Sequence, residues 1–419
     1  QEVMQLIEEK LRQLNLGNHY DIFCREHNPL DGTHKESEAI EPSSFNAPWV
    51  DVRDYGEGVG IGGDWTVAFR TAISDAPPGG KIFAPNGTYG TTDTITISDG
   101  KSLVGQSKDY TIIRPTSAVT TSVIVNNGSL EKIYVDGVNT SGKTGVVCGS
   151  ALSAGTKLVD VKVQNFTGGS AIGVKVRQVV GASFLRCYFN GNTNCVFVTP
   201  EAGDGTPTTT WFQDTSFREA TEQGVLITGG YQVNFLNCIF ESNYQEGLKI
   251  VPGASANAIF GILRSCWFEN NWRDDEDRTS EYSLVVDGTA VGCSVGVHLD
   301  TVYFNGTAET EKSIDFNKVK WTSLSKVTTP VDVAGAIRVQ DATSEVTFID
   351  DAGRTALTNV ANADGAYVWY PIQYTLNAAG IQTLTLSIYA NNAAAIAGGL
   401  VAGQLYRTNA DPDTICVVH

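Results

Sequence analysis

The sequence predicts an all-β solenoid, a parallel β-helix, and three side-chain ladders carry that prediction. Phrases such as SFLRCYFNGNTNCVFV, WFQDTSFREATEQGVLI, NFLNCIFESNYQEGLKI and GILRSCWFENN repeat one pattern. Aligned, they put Ile133, Val161, Cys187, Thr215, Cys238, Cys266 and Val302 in one column. A second column holds Val135, Val163, Phe189, Phe217, Phe240, Phe268 and Phe304. A third holds Val146, Val174, Val196, Val225, Leu248, Leu284 and Ile314. The columns recur roughly every 23 to 36 residues, a period that marks stacked units. Within each unit apolar residues alternate without a helical period, so the units are short strands. One coil cannot bury its own apolar face. Stacking solves this by placing like residues over like, about 4.8 Å apart.

The elements follow in order. Residues 1–17 are predicted as a helix, because Val3, Leu6, Ile7, Leu11 and Leu14 recur at helical spacing between Glu and Lys. Such a helix is too short to stand alone in water, so it wants a partner, and a short multi-chain coil fits. An irregular polar linker completes residues 1–50. Residues 51–80 form an opening and capping segment, with a strand-like WVDVRDYG, a helical stretch around Trp65 to Ser74 and a PPGG turn. That helix, with Trp65, Val67, Phe69 and Ile73, is expected to cover the exposed end of the solenoid, where unpaired strand edges invite aggregation. The β-helix proper spans residues 81–345. Residues 346–419 form a small β-rich C-terminal region, a candidate for trimerisation. It contains EVTFID, AYVWYPIQY and TLTLSIY, an Ala-rich helical stretch at 393–397 and a last strand ICVVH.

Composition agrees and excludes some partners. The 419 residues include 43 Gly and one Met, and 18% are charged, which suits a turn-rich β-structure with a large core. The net charge of −17 argues against nucleic acid and anionic membranes, which need a basic field. A polyanionic sugar requires a local basic patch. No run of 18 apolar residues is present, so no membrane insertion is expected. No signal-peptide pattern opens the sequence. Of eight Cys, Cys187, Cys238 and Cys266 fall in an inward column and read as small hydrophobes rather than a disulfide framework.

Residues 50–115 carry a resemblance. The run VDVRDYGEGVGIGGDWTVAFRTAI, then PPGGKIFAPNGTYGTTDTITI and KSLVGQSKDYTIIRP, resembles the opening of pectate-lyase-like right-handed β-helix proteins of the phage tailspike and polysaccharide depolymerase type. There a V-x-DYGA segment leads into a capping helix, followed by GG-x-[IV]-x-[FA]-P-x-G-x-Y and a strand ending in L-x-G. The usual DG-x-TDDT is replaced here by GIGGDWTVAFR, so roles attached to those acids do not carry over. The ending GGLVAGQLYRTNADPDTICVVH is similar to endings of phage virion proteins. The resemblance implies a right-handed parallel β-helix, a homotrimer, a place on the virion tail joined to other tail proteins through the N-terminal region, and action on a bacterial surface polysaccharide outside the cell.

The ladders also locate a candidate site. The residue after each second-column position should face outward: Asp136, Gln164, Asn190, Arg218, Glu241, Glu269 and Asn305. Glu241 and Glu269 are stacked carboxylates, with Arg218 one rung below and Glu219 beside it. Two carboxylates at rung spacing push one pKa up, leaving an acid beside a base, as glycoside hydrolysis requires. The other reading is a solvated acidic stripe. Asp214 with Glu219 is the next candidate pair. Tyr188, Trp267 and Tyr303 share an outward column, with Trp211, Tyr244 and Trp272 nearby, and aromatic faces stack on sugars. Packing against another subunit explains them equally well. Arg218, Arg264 and Arg186 can grip acidic sugar groups or serve as surface ion pairs.

Other chemistry is poorly supported. The loops 199–210 and 270–282 flank the candidate rungs. The acids at Asp274, Asp275, Glu276 and Asp277 lack calcium-loop spacing. His19, Cys24, His27 and His34 match no standard zinc spacing. Of the five His, only His298 lies in the solenoid, and there a structural role is expected. No cofactor or metal is expected. The reading is a hydrolase that cuts a bacterial surface polysaccharide (capsule, exopolysaccharide or O-antigen). Its rivals are a lyase on the same fold, with Arg218 or Arg264 as base, and a spike that binds glycan without cutting it.

Overall fold

The computed structural model describes residues 49–349, apart from short stretches within that range, and a few strand residues beyond it. The helix expected at 1–17, the His and Cys cluster of the linker, and the acidic run 274–277 lie outside the described residues. So does most of 346–419.

Three parallel sheets run along the stack. The first has 12 strands among the described residues, from Trp49–Asp51 to Val346–Ile349. The second has nine, from Gly87–Thr91 to Tyr303–Asn305. The third has ten, from Ile95–Ile97 to Ile337–Val339. One coil contributes one strand to each: Ser183–Leu185, then Tyr188–Asn190, then Asn194–Val198. Each strand pairs in parallel with its equivalents one coil away, for example Val163 with Val135 and Phe189. This is a parallel β-helix.

The predicted columns are the register of the sheets. The second column pairs residue by residue from Val135 to Phe304 along the second sheet. The third does the same from Val146 to Ile314 along the third sheet. All residues of the three columns are buried. The phenylalanines stack: Phe217 on Phe240 at 4.9 Å, Phe240 on Phe268 at 4.4 Å, Phe268 on Phe304 at 4.7 Å. A further inward column was not read from the sequence. Phe184, Phe212 and Phe235, on the first sheet, stack at 4.4 and 5.1 Å and meet the other stack edge-on. Cys187, Cys238 and Cys266 are buried free thiols, as expected, and burial pushes Cys187 up to about 12.

Two corner devices were also missed. Between first and second sheets, the coils from Lys132 to Thr301 each turn on one residue in the left-handed region, including Asp160, Arg186, Asp214, Asn237 and Ser265, these five with φ from 50 to 53°. None is glycine, although this conformation costs an L-residue free energy. After the second sheet a buried asparagine ladder forms. Asn243 accepts from the Ala220 amide at 3.0 Å and donates to the Phe217 carbonyl at 3.2 Å and to Asn271 at 2.8 Å. Asn192 and Asn271 repeat the role. The recurring F-x-x-N in FNGN, FESN and FENN is its signal.

The helix Thr66–Asp75 buries Ala68, Phe69, Ala72 and Ile73. Trp65 and Phe69 meet Tyr89 edge-on at 5.1 and 5.4 Å. Val67 departs from expectation, since it is 70% exposed; it lies two residues before Phe69, about 200° around the helix from that buried face. The last described strands, Tyr374–Leu376 with Gln382–Leu384 and Leu405–Arg407 with Ile415–Val417, are antiparallel pairs.

Candidate functional site

Most strands of the second sheet along this stretch are three residues long, so the central residue points inward and both neighbours point out. Two outward columns result. The one before the Phe ladder runs Tyr134, Lys162, Tyr188, Ser216, Ile239, Trp267, Tyr303. The one after it runs Asp136, Gln164, Asn190, Arg218, Glu241, Glu269, Asn305. Glu241 and Glu269 are direct register partners, as the alignment required.

Their carboxyls take different partners. Glu241 forms an ion pair with Arg218 at 2.7 Å. Glu269 accepts from the Trp267 indole at 2.9 Å and from the Asn305 amide at 3.0 Å. Arg218 and Asn305 sit on opposite sides of the pair, one rung before and one rung after it. Trp267 stacks on Tyr303 at 4.4 Å, and each is 38% exposed. The face therefore combines two carboxyls, one guanidinium and an open aromatic platform.

The remaining predicted residues disperse. Glu219 lies at the far corner of its strand, exposed, and accepts from Asn190 at 3.2 Å. Asp214 lies at the opposite corner and accepts from Asn237 at 3.2 Å. The five-residue separation and the intervening strand keep these two acids apart. Arg264 belongs to the first sheet, where it pairs with Asp300 at 3.0 Å. Arg186 is committed to Asp160 at 2.8 Å. Tyr188 shares the column of Trp267 but lies three rungs away. Tyr244 is 41% exposed beyond the second corner. Trp272 is pinned by its indole to the Tyr282 carbonyl at 2.7 Å. His298 pairs with Ser323 on the first sheet.

One outward position is buried. Asp136 is 2% exposed, because Arg114 at 2.6 Å and Asn165 at 2.8 Å close over it. On the same strand, burial and then the charge of Asp136 push the Tyr134 hydroxyl up to about 12. Asn305, Asn190 and Lys162 join the face without having been singled out; their place in the two outward columns was the available signal. Among the described residues no group of His, Cys, Asp and Glu has metal-site geometry, and no helix is long and apolar enough to cross a membrane.

The family model described as rhamnogalacturonase A/epimerase, pectate lyase-like, matches residues 49–258, which include most of the stacked rungs and end just after the Glu241 coil. The chain belongs to this pectate lyase-like family. No curated protein matches it in sequence. Among solved structures, it is similar to ORF18 of Geobacillus virus E2, at 14% identity over 88% of this chain and 86% of that one, with a TM-score of 0.46. It is similar to an N-terminal fragment of bacteriophage phi29 gene product 12, at 15% identity over 71% and 61%, with a TM-score of 0.50. The Dettilon tailspike protein aligns at 14% identity over 72% and 68%, with a TM-score of 0.38. At such identities the likeness is one of fold, and pectate lyase-like members share the stacked parallel sheets described above.

Proposed function

We propose that this chain is a phage tailspike-like depolymerase that hydrolyses a bacterial surface polysaccharide on the outer face of its second sheet. The observation that carries this reading is the register pairing of Glu241 and Glu269 beside the stacked Trp267 and Tyr303. The family description, with its carbohydrate-active names, supports the substrate class. The virion tail as location rests on the sequence resemblance of residues 50–115 and of the C-terminal ending.

In this reading Glu269 donates a proton to the glycosidic oxygen as the bond breaks. Glu241 takes a proton from the water that attacks the anomeric carbon. This is the inverting arrangement, which needs room for water between groups about 6.5–9.5 Å apart. Trp267 and Tyr303 support a sugar ring next to the bond. The homotrimer belongs to the same proposal. Trp211 and Tyr231, 44% and 43% exposed on the first sheet, give a second chain an apolar surface away from the carboxylates.

Purified protein incubated with capsules, exopolysaccharides and O-antigens is expected to release new reducing ends from one of them. Glu241→Gln and Glu269→Gln should each lose at least about 10²-fold in that rate while keeping glycan binding. Full activity in both variants overturns the assignment. Arg218 favours a second reading, since it lies on the same face and its Nε is buried without a partner among the described residues. A lyase using it would release an unsaturated, ultraviolet-absorbing product in place of a saturated one.

A further inference from the structure

Lys162 stands on the outer face of the second sheet between two rings. Its register partners are Tyr134 on one side and Tyr188 on the other. Its ammonium lies 4.6 Å from the centre of the Tyr134 ring and 5.8 Å from that of Tyr188. Rings fix the position of a cation through their faces, yet they use none of its hydrogen atoms. Among the described residues the Lys162 side chain has no carboxylate partner and no oxygen acceptor. The nearby acid is already satisfied, because Asp136 is closed under Arg114 and Asn165. Arg186, at the adjoining corner, is spent on Asp160. Lys162 is therefore a positioned, half-buried charge with its donors unclaimed, on a chain whose net charge is −17.

We propose that Lys162, held between Tyr134 and Tyr188, is a subsite for a carboxylate-bearing sugar, three rungs from the Glu241 position. This rests on the reading of the second-sheet face as a glycan track. Three rungs are about 14 Å, and a pyranose unit is roughly one rung long, so the acidic sugar sits about three units from the bond that is cut. Tyr134 and Tyr188 offer ring faces to the sugar, as Trp267 and Tyr303 do at the other end of the column. Asn190 carries the polar track one rung on from Tyr188: it accepts from the Tyr188 hydroxyl at 3.3 Å and donates to Glu219 at 3.2 Å. An acidic chain repels a polyanion at long range, so a carboxylate sugar is held only where a local cation meets it at close range. The substrate class that follows is a polysaccharide whose repeat carries a carboxylate-bearing sugar.

The test uses the full chain in affinity electrophoresis against polygalacturonate, alginate and hyaluronan, each beside its carboxyl-reduced form. At least one acidic polymer should retard the protein about tenfold more strongly than its reduced form, as loss of one charge-assisted hydrogen bond implies. Lys162→Met should abolish that difference, and Lys162→Arg should retain most of it. Unchanged melting temperatures establish that both variants fold. Equal retardation by acidic and reduced polymers, or a preference that survives Lys162→Met, overturns the subsite. The two readings separate cleanly. Cleavage of a neutral polysaccharide that depends on Glu241, with no acidic preference, leaves hydrolysis standing and removes the subsite. A Lys162-dependent preference with no cleavage of any polymer leaves the subsite and removes hydrolysis.

Discussion

Phe240 and Phe268 stack at 4.4 Å with their planes 8° apart, directly beneath Glu241 and Glu269. In each strand the ring enters the core and the following carboxyl faces out. The spacing of the acids is thus set by the packing of the rings. A side chain that only fills the core also holds the outer face in register.

Phe240→Ala is expected to cost about 3–5 kcal/mol, the usual range for emptying a buried aromatic site. Denaturant unfolding measures it. Phe240→Leu should lose much less stability, because most of the volume remains. Equal losses in both variants would show that ring stacking itself dominates.

Asn243→Ala removes three hydrogen bonds at one buried corner and strands the Ala220 amide. A stranded buried amide costs about 1–3 kcal/mol. The variant should unfold at clearly lower denaturant than Ser242→Ala, a change at the neighbouring half-buried corner. Indistinguishable midpoints would remove the asparagine ladder from the account of stability.

Trp267 has two functions that substitution separates. Trp267→Phe keeps an aromatic platform on Tyr303 and removes the indole donor to Glu269. It should lower kcat with little change in KM. Trp267→Ala should also raise KM severalfold, since a contact on an aromatic face is worth roughly 1 kcal/mol. Steady-state kinetics on the cleaved polysaccharide distinguish the two effects.

Acid should weaken the fold through Asp204. Arg177 donates to both its oxygens, at 2.8 and 2.9 Å, and holds its carboxyl below the usual range. A folded value below the unfolded one, about 4, gives stability that is fully present above that pH. The contribution is lost as pH falls through the folded value. Asp160 under Arg186 acts in the same direction. The melting temperature should fall below about pH 4, and Asp204→Asn should show a lower plateau at neutral pH with a flatter acid limb. Parallel curves for the two proteins would assign the acid loss elsewhere.

The buried thiols should be inert. Burial pushes Cys187 and Cys195 up to about 12, and both are shielded from solvent. Iodoacetamide near pH 8 should label neither in the folded protein and both after unfolding, as read by mass spectrometry. Rapid native labelling would show that the coils open.

The inward positions were legible because each column repeats one kind of side chain at one place in every coil. Cys238, Phe240 and Leu248 could be placed from pattern alone. The corners were less legible. A left-handed backbone normally announces itself by glycine, yet here Asp160, Arg186 and Asp214 adopt it. On the outer face, alternation fixed which residues point out but not what they meet. Glu241 could be stacked on Glu269 from the sequence, whereas its ion pair with Arg218 depends on how two long side chains bend. Asp136 shows the same limit: its direction was correct, and its burial under Arg114 came from a residue one rung away.

Because every strand finds its partners one coil away, no rung depends directly on a distant part of the chain. Each coil closes a loop of similar length, so each addition carries a comparable entropic cost. Whichever coil forms first has no template, so its formation is expected to be the slow step; later ones grow on an existing edge. The helix Thr66–Asp75 lies at the amino-terminal side of this growth, where synthesis begins. A chain interrupted after any complete coil would retain ordered rungs behind it and a growing edge ahead.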